Sequence, residues 1–265
     1  MRGSGGFWWV GVASIGLLAG SGCADVSGPE DGGRVRIGFA AAAVSGSGGA
    51  AGGGGSGLAI DGTNGLLTLE DVRLIVAEFE LKLDDDDRCP SGEGHEACEE
   101  FDAGPSFVDL PLDSGTTSTV SQTVPAGVYR ELEFEVEDLD DDEDDASEAQ
   151  AIRDLMARVR TEIADWPREA SMLVSGTFTP RGGVPVPFRV FFEAEIEVEL
   201  EFSPPLTVEA GVNQDVTIEI DPRTWFRRAD GSVVDLSKSD FGRTGRLAEF
   251  EIEIERGFSR MRSDR

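Results

Sequence analysis

Positive charge is scarce in this chain. Lys82 and Lys238 are its only lysines, and 23 Lys+Arg face 52 Asp+Glu, a formal charge of −29 over 265 residues. Nucleic-acid binding rests on neutralising phosphates with cations, so that partner class is excluded. Anionic membrane surfaces are disfavoured for the same reason, whereas cations, basic ligands and basic proteins are not. The simplest role of such a charge is a solubilising surface. Histidine is scarcer still: His95 stands alone in a polar loop. Ser-His-Asp or Cys-His chemistry would have to use it, and neither Gly-x-Ser-x-Gly nor His-Glu-x-x-His occurs. Carboxylate pairs of the glycosidase kind have so many candidates that none stands out. The chain therefore reads as a non-enzyme, with a carboxylate-pair hydrolase as the last alternative. Beyond the first residues, Trp166, Trp225 and Tyr129 are the only Trp and Tyr. Each lies beside an apolar pattern, which favours core roles over sugar-binding platforms.

Long apolar runs are also missing. The one at the N-terminus, Phe7 to Ala19, is about 13 residues, short of the roughly 20 a spanning helix needs. With Met1-Arg2 before it, the run fits a secretory leader. Gly20-Ser21-Gly22 then precedes Cys23. These residues resemble the bacterial lipoprotein signal, in which a Cys after small residues is lipidated and begins the mature chain. The resemblance implies lipidation at Cys23 and attachment to the membrane through that lipid. Gly20 stands where Leu is usual, a departure from the pattern. Ala24 rather than Asp after the Cys is similar to lipoproteins sorted to the outer membrane. Of the three cysteines, Cys89 and Cys98 are then left as a pair. In an oxidising compartment their disulfide is the default, with a zinc site built from Cys89, His95, Cys98 and Glu96 or Glu99 as the alternative.

Glycine is plentiful, 34 in all, and concentrated in one Gly/Ser/Ala stretch, 45–57. This reads as a flexible loop. It lacks the Gly-Lys-Ser/Thr ending of a phosphate loop. Most of the rest alternates with period two. Arg34–Phe39, Val72–Leu83, Phe107–Leu110, Val128–Val136, Met172–Thr179, Phe188–Phe202, Leu206–Val208, Val216–Ile220 and Leu247–Ile254 are predicted strands. Such alternation marks half-buried antiparallel strands. The parity flips between Val76 and Phe79, which implies a bulge near Ala77-Glu78, and Pro204-Pro205 is expected to end the longest strand. One segment has helical period: Ile152, Leu155, Met156, Val159 and Ile163. With Ser147 and Gln150 as a capping box and Trp166-Pro167 as its end, a single amphipathic helix over 146–166 is expected to pack on a sheet edge or face. The fold class is mainly β: an antiparallel β-sandwich with one inserted helix. The expected organisation is a signal peptide at 1–22, a tether at 23–33, one domain over 34–258 and a tail at 259–265.

Acidic residues cluster in two ways. Two runs, Asp84-Asp85-Asp86-Asp87 and 138–145 with Asp138, Asp140, Asp142 and Asp144, suggest Ca²⁺, a hard cation that takes several oxygens. They follow strands ending at Leu83 and Val136, so both are expected at one end of the sandwich. The spacing is not an EF-hand: counted from Asp138, Glu143 stands where Gly is needed and Ala149 where Glu is needed. No other cofactor is expected. Separately, Glu occupies odd positions through 131–137, 193–201 and 249–255. Like charges directly opposed destabilise a strand pair. These strands should therefore lie apart, or be offset by Arg73, Arg130, Arg189 and Arg256, with their Glu faces in water.

Leu66–Leu74, Val124–Tyr129, Ser175-Gly176-Thr177-Phe178, Thr224-Trp225-Phe226 and Asp230-Gly231 together resemble uncharacterised bacterial lipoproteins predicted to carry an immunoglobulin- or prealbumin-like β-sandwich. The resemblance covers about residues 60–255 and implies fold and address without a reaction. The basic ending Arg260–Arg265 departs from the acidic tails of some relatives. The functional expectation is a lipid-anchored protein of the cell envelope, at the outer membrane and facing the periplasm or the surface. It would present an acidic β-sandwich for binding or scaffolding, with other envelope proteins as candidate partners, and a Ca²⁺ module is the alternative.

Overall fold

The computed structural model describes residues 32–41, 57–83, 100–113, 115–139, 146–194, 196–249 and 258–264. Cys23, Cys89 and Cys98, the run 84–87 and Asp140, Asp142 and Asp144 lie outside them, as do the Gly-rich stretch up to residue 56 and Arg256.

Three sheets carry the fold. The first contains β1 (Gly32–Ala41), β7 (Thr116–Pro125), β12 (Asn213–Ile220) and β14 (Phe258–Asp264), in the order β14-β12-β1-β7. The second contains β2 (Leu58–Gly62), β3 (Gly65–Val76), β9 (Met172–Pro180), β10 (Val186–Glu193) and β13 (Ala248–Glu249), with β6 (Ser106–Asp109) also paired to β3. The third contains β4 (Glu78–Leu83), β5 (Glu100–Ala103), β8 (Gly127–Val136) and β11 (Ile196–Val208), in the order β11-β8-β4-β5. Pairing is antiparallel except for β1 with β12 and β10 with β13. The protein is an antiparallel-rich β-sandwich with an inserted helix, as the alternation predicts.

The parity flip at Ala77 has a different cause from a bulge within one strand. β3 belongs to the second sheet and β4 to the third, and the chain changes sheets at Ala77, whose N–H donates to the Glu135 carbonyl at 2.8 Å. The predicted strand Phe188–Phe202 splits in the same way. β10 ends at Glu193 in the second sheet and β11 starts at Ile196 in the third. Here the apolar face stays on the core with its period intact, Val190, Phe192, Ala194, Ile196 and Val198 all being buried, so alternation alone cannot reveal this corner. Pro204-Pro205 do not end β11. They fall where its register against β8 shifts, Glu201 facing Glu131 and Leu206 facing Tyr129. The extra residues on β11 leave no ladder bond there that a proline would have to donate. Residues 259–264, expected as a tail, belong to β14 and pair with β12.

The main core joins all three sheets. Phe39 of β1 meets Phe134 of β8 edge-on at 5.8 Å between ring centroids and Phe79 of β4 at 6.2 Å. Tyr129 is fully buried and its hydroxyl donates to the Pro125 carbonyl at 3.0 Å, closing the β7–β8 corner. Burial pushes its pKa above the ordinary phenol value. Trp225 and Phe226 are also buried here. Gly176 of β9 fits because it has no side chain: a Cβ there would sit 2.0 Å from the Thr68 carbonyl oxygen.

Helix α1 (Ala146–Glu162) covers the opposite face of the second sheet. Ile152, Leu155, Met156 and Val159 pack with Ile75, Leu173, Phe191 and Trp166 in a second cluster. This explains why Leu173 and Phe191 are apolar out of phase with their strands: that sheet is buried on both faces. The helix ends four residues earlier than expected, at Glu162, and Ser147 is not at the cap position before it. Ser147 lies inside the first turn, and the Gln150 side chain donates to Asp154 and accepts from Arg153 instead of reaching back. Two four-residue helices follow, α2 (Pro222–Trp225) and α3 (Phe241–Thr244).

Candidate functional site

The acidic residues that the structure brings together lie on a sheet face. β8 and β11 are hydrogen-bonded neighbours, and their registry sets Glu135 against Glu197, Glu133 against Glu199 and Glu131 against Glu201. On the other side of β8, β4 sets Glu78 against Glu135, Glu80 against Glu133 and Lys82 against Glu131. The row continues to β5, where Asp102 faces Glu80 and Glu100 faces Lys82. Positions directly opposite in a ladder project from the same face. Strands β4, β8 and β11 thus present one carboxylate-bearing surface with Lys82 in it.

The expectation that Glu-bearing strands lie apart is therefore wrong for 131–137 and 193–201, which are hydrogen-bonded neighbours. Arg73 of β3 pairs with Asp71, Asp109 and Glu162 at 2.7, 3.3 and 3.4 Å. Arg189 of β10 pairs with Asp165, with its two nitrogens 2.5 and 2.8 Å from the carboxylate oxygens. Neither reaches these rows. A cation that does reach them is Lys82: its Nζ lies 3.2 Å from Glu131 Oε1 and also donates to Glu133. The hydrogen bond to Glu133 and the charge of Glu131 raise the lysine pKa above its ordinary value. Nor does all of the face stay in water, because Glu133 is only 8% exposed. Glu193, from the same sequence row, sits in the second sheet opposite Glu249 of β13, and both are exposed.

Glu131, Glu133 and Glu199 each place a carboxylate oxygen within 4.8 Å of the others. Three carboxylates at that spacing have the donor type and reach for a hard divalent cation. The Lys82 ammonium already sits against two of them, so a metal has to share or displace it. In sequence, the acid loops hid this set. Its signal was the parity shared by Glu131, Glu133 and Glu199, and by Lys82 among Glu78 and Glu80.

The loop residues fare differently. Of the Asp positions expected to ligate Ca²⁺, Asp138 alone is described, half-buried just after β8. β4 runs antiparallel to β8, with Leu83 opposite Tyr129 and Glu78 opposite Glu135. The strand ends Leu83 and Val136 therefore lie at opposite ends of the sheet, roughly 20 Å apart at 3.3 Å per residue, and the acidic runs after them, apart from Asp138, lie outside the described residues.

No family model and no curated protein matches this chain. Among solved structures, MbnP from Methylosinus trichosporium is similar at 16% identity and a TM-score of 0.32, over 78% of this chain and 79% of that one. A superposition that loose carries no argument about fold or function.

Proposed function

We propose that this chain is a non-enzymatic, lipid-anchored protein of the cell envelope whose third sheet offers its carboxylate face to a basic partner. The observation that carries the reading is the registry of β8: glutamates directly opposite glutamates on both neighbouring strands, with one lysine among them. Opposed like charges cost stability. A fold that concentrates them on adjacent strands gives up that stability for a strong local field, and such a field speeds and selects the approach of cations. The address rests on Cys23 and the leader before it.

Titration with an arginine nonapeptide tests the face. Saturable binding should weaken at least about fivefold in Glu199→Gln/Glu201→Gln, by loss of two charges at the contact. It should hardly change in Asp154→Asn/Glu162→Gln, which removes the same charge from the helix. Equal losses in the two variants would reduce the face to net charge and sink the reading. Incorporation of labelled palmitate in the native host, abolished by Cys23→Ser, tests the anchor.

A second reading, a divalent-cation site, is favoured by the convergence of Glu131, Glu133 and Glu199. It requires a saturable heat of Ca²⁺ binding that Glu133→Gln/Glu199→Gln removes. The absence of such heat at millimolar metal would dismiss it.

A further inference from the structure

A cleft of about 330 Å³ lies against α1, lined by Leu139, Ile152, Met156 and Ala157 and by three arginines, Arg153, Arg160 and Arg168. In a chain with more than two acidic residues for each basic one, the lining among the described residues holds three cations and no carboxylate. Three described carboxylates of the same segment are engaged elsewhere. Asp154 accepts from Gln150, Glu162 pairs with Arg73, and Asp165 pairs with Arg189. Arg153 and Arg160 are two helical turns apart on α1 and so rise from one stripe. Arg153 donates to Gln150 through one nitrogen, and among the described residues Arg160 makes no ion pair. Between the arginines, Leu139, Ile152 and Met156 give a floor continuous with the second hydrophobic cluster. A volume at the small end of ligand pockets, with an apolar base and a few convergent polar groups, is the ordinary form of a small-molecule site. Guanidinium forks match carboxylates in a planar two-point geometry.

We propose that this cleft binds a small amphipathic carboxylate. The tail lies on Leu139, Ile152 and Met156, and the head group is held by Arg153, Arg160 and Arg168. The site is on the far side of the second sheet from the main core. It does not depend on the acidic face, so either can fail without the other.

Decanoate, decanol and decyltrimethylammonium are the probes, each titrated calorimetrically into the intact chain at low salt. Decanoate should bind saturably at one site, and the alcohol and the cation should bind at least about tenfold more weakly, because hydrogen bonds to charged groups are the strong ones. Arg153→Gln/Arg160→Gln keeps good helix formers at exposed positions and should weaken decanoate by about tenfold or more with an unchanged melting temperature. Ala157→Phe keeps the charges, fills the space and should weaken it as well. Equal binding of decanol, or undiminished binding in both variants, would mean that the arginine stems merely cover the apolar floor. No saturable decanoate heat at millimolar ligand overturns the proposal. So does heat that appears only after residues 140–145 are neutralised, since the chain's own acidic run would then be the occupant.

Discussion

Lys82 matters more than its small number of contacts suggests. It is one of two lysines in the chain, and strand registry places it among the glutamates of β4, β8 and β11. Its raised pKa means that its stabilising effect is complete below the unfolded value near pH 10.4. The effect is lost only as pH climbs through the higher folded value, so it is constant across the neutral range. Removing the charge leaves Glu131 and the nearly buried Glu133 facing Glu199 with no ammonium between them. Lys82→Met should lower unfolding free energy by about 1–2 kcal/mol, the scale of a partly screened charged hydrogen bond. Urea denaturation at low salt should show it, and the deficit should shrink in 0.5 M NaCl. An unchanged midpoint would show that the lysine contributes no net stabilisation. The parity of Lys82 was visible in the sequence. Its partners were not, because the strand order that brings β4 beside β8 is a long-range fact.

Among the elements, those with a strong local period were legible. The apolar stripe of α1, the core strands β8 and β12, and the turn around Ala126 follow from residue spacing alone. β7 was missed. Its Thr116-Thr117-Ser118-Thr119 start has no apolar alternation, and it is a strand because β1 offers it a ladder. The sheet change between β10 and β11 was hidden because the core-facing side chains keep their spacing around the corner, whereas the one at Ala77 left a visible parity flip that a bulge would also give. The carboxylate face was half-legible: its rows were plain, their adjacency was not. One loop-to-sheet link gives a pH-dependent test. Arg189 hydrogen-bonds Asp165 just beyond α1 and stacks over Phe191, 4.6 Å from the ring centroid. The hydrogen bond and charge of Arg189 hold the Asp165 carboxyl below its ordinary value. A depressed folded pKa means stability that is present above the unfolded value of about 3.9 and lost as pH falls through the folded one. Asp165→Asn should therefore be less stable than the parent at pH 6, and the difference should close below pH 4 in paired thermal melts. A gap that persists at pH 3 would assign the loss to packing.

For the whole molecule, the −29 charge and its concentration on neighbouring strands set the response to salt. Screening shortens the reach of each charge from about 30 Å at 0.01 M to about 3 Å at 1 M. Repulsion between opposed carboxylates falls within that window. The melting temperature should rise by at least about 3 °C between 0.01 and 0.5 M NaCl, about 1 kcal/mol for a domain of this size, and more steeply in Lys82→Met. A flat response would mean that the opposed rows are already neutralised.

The position of β1 sets the order in which the molecule can be completed. The first described strand lies inside its sheet, and its parallel neighbour is β12, with Arg34 beside Asn213 and Ala41 beside Ile220. β14 then extends the same sheet from the far side of β12. Nearly 180 residues must be synthesised after β1 before that slot can close, and a closure this distant in sequence is slow. Until the end of the chain arrives, the nascent polypeptide cannot finish its first sheet. On the proposed reading of the leader, that delay would leave the chain open and threadable for export, with the sheet locking only once both of its ends are on the same side.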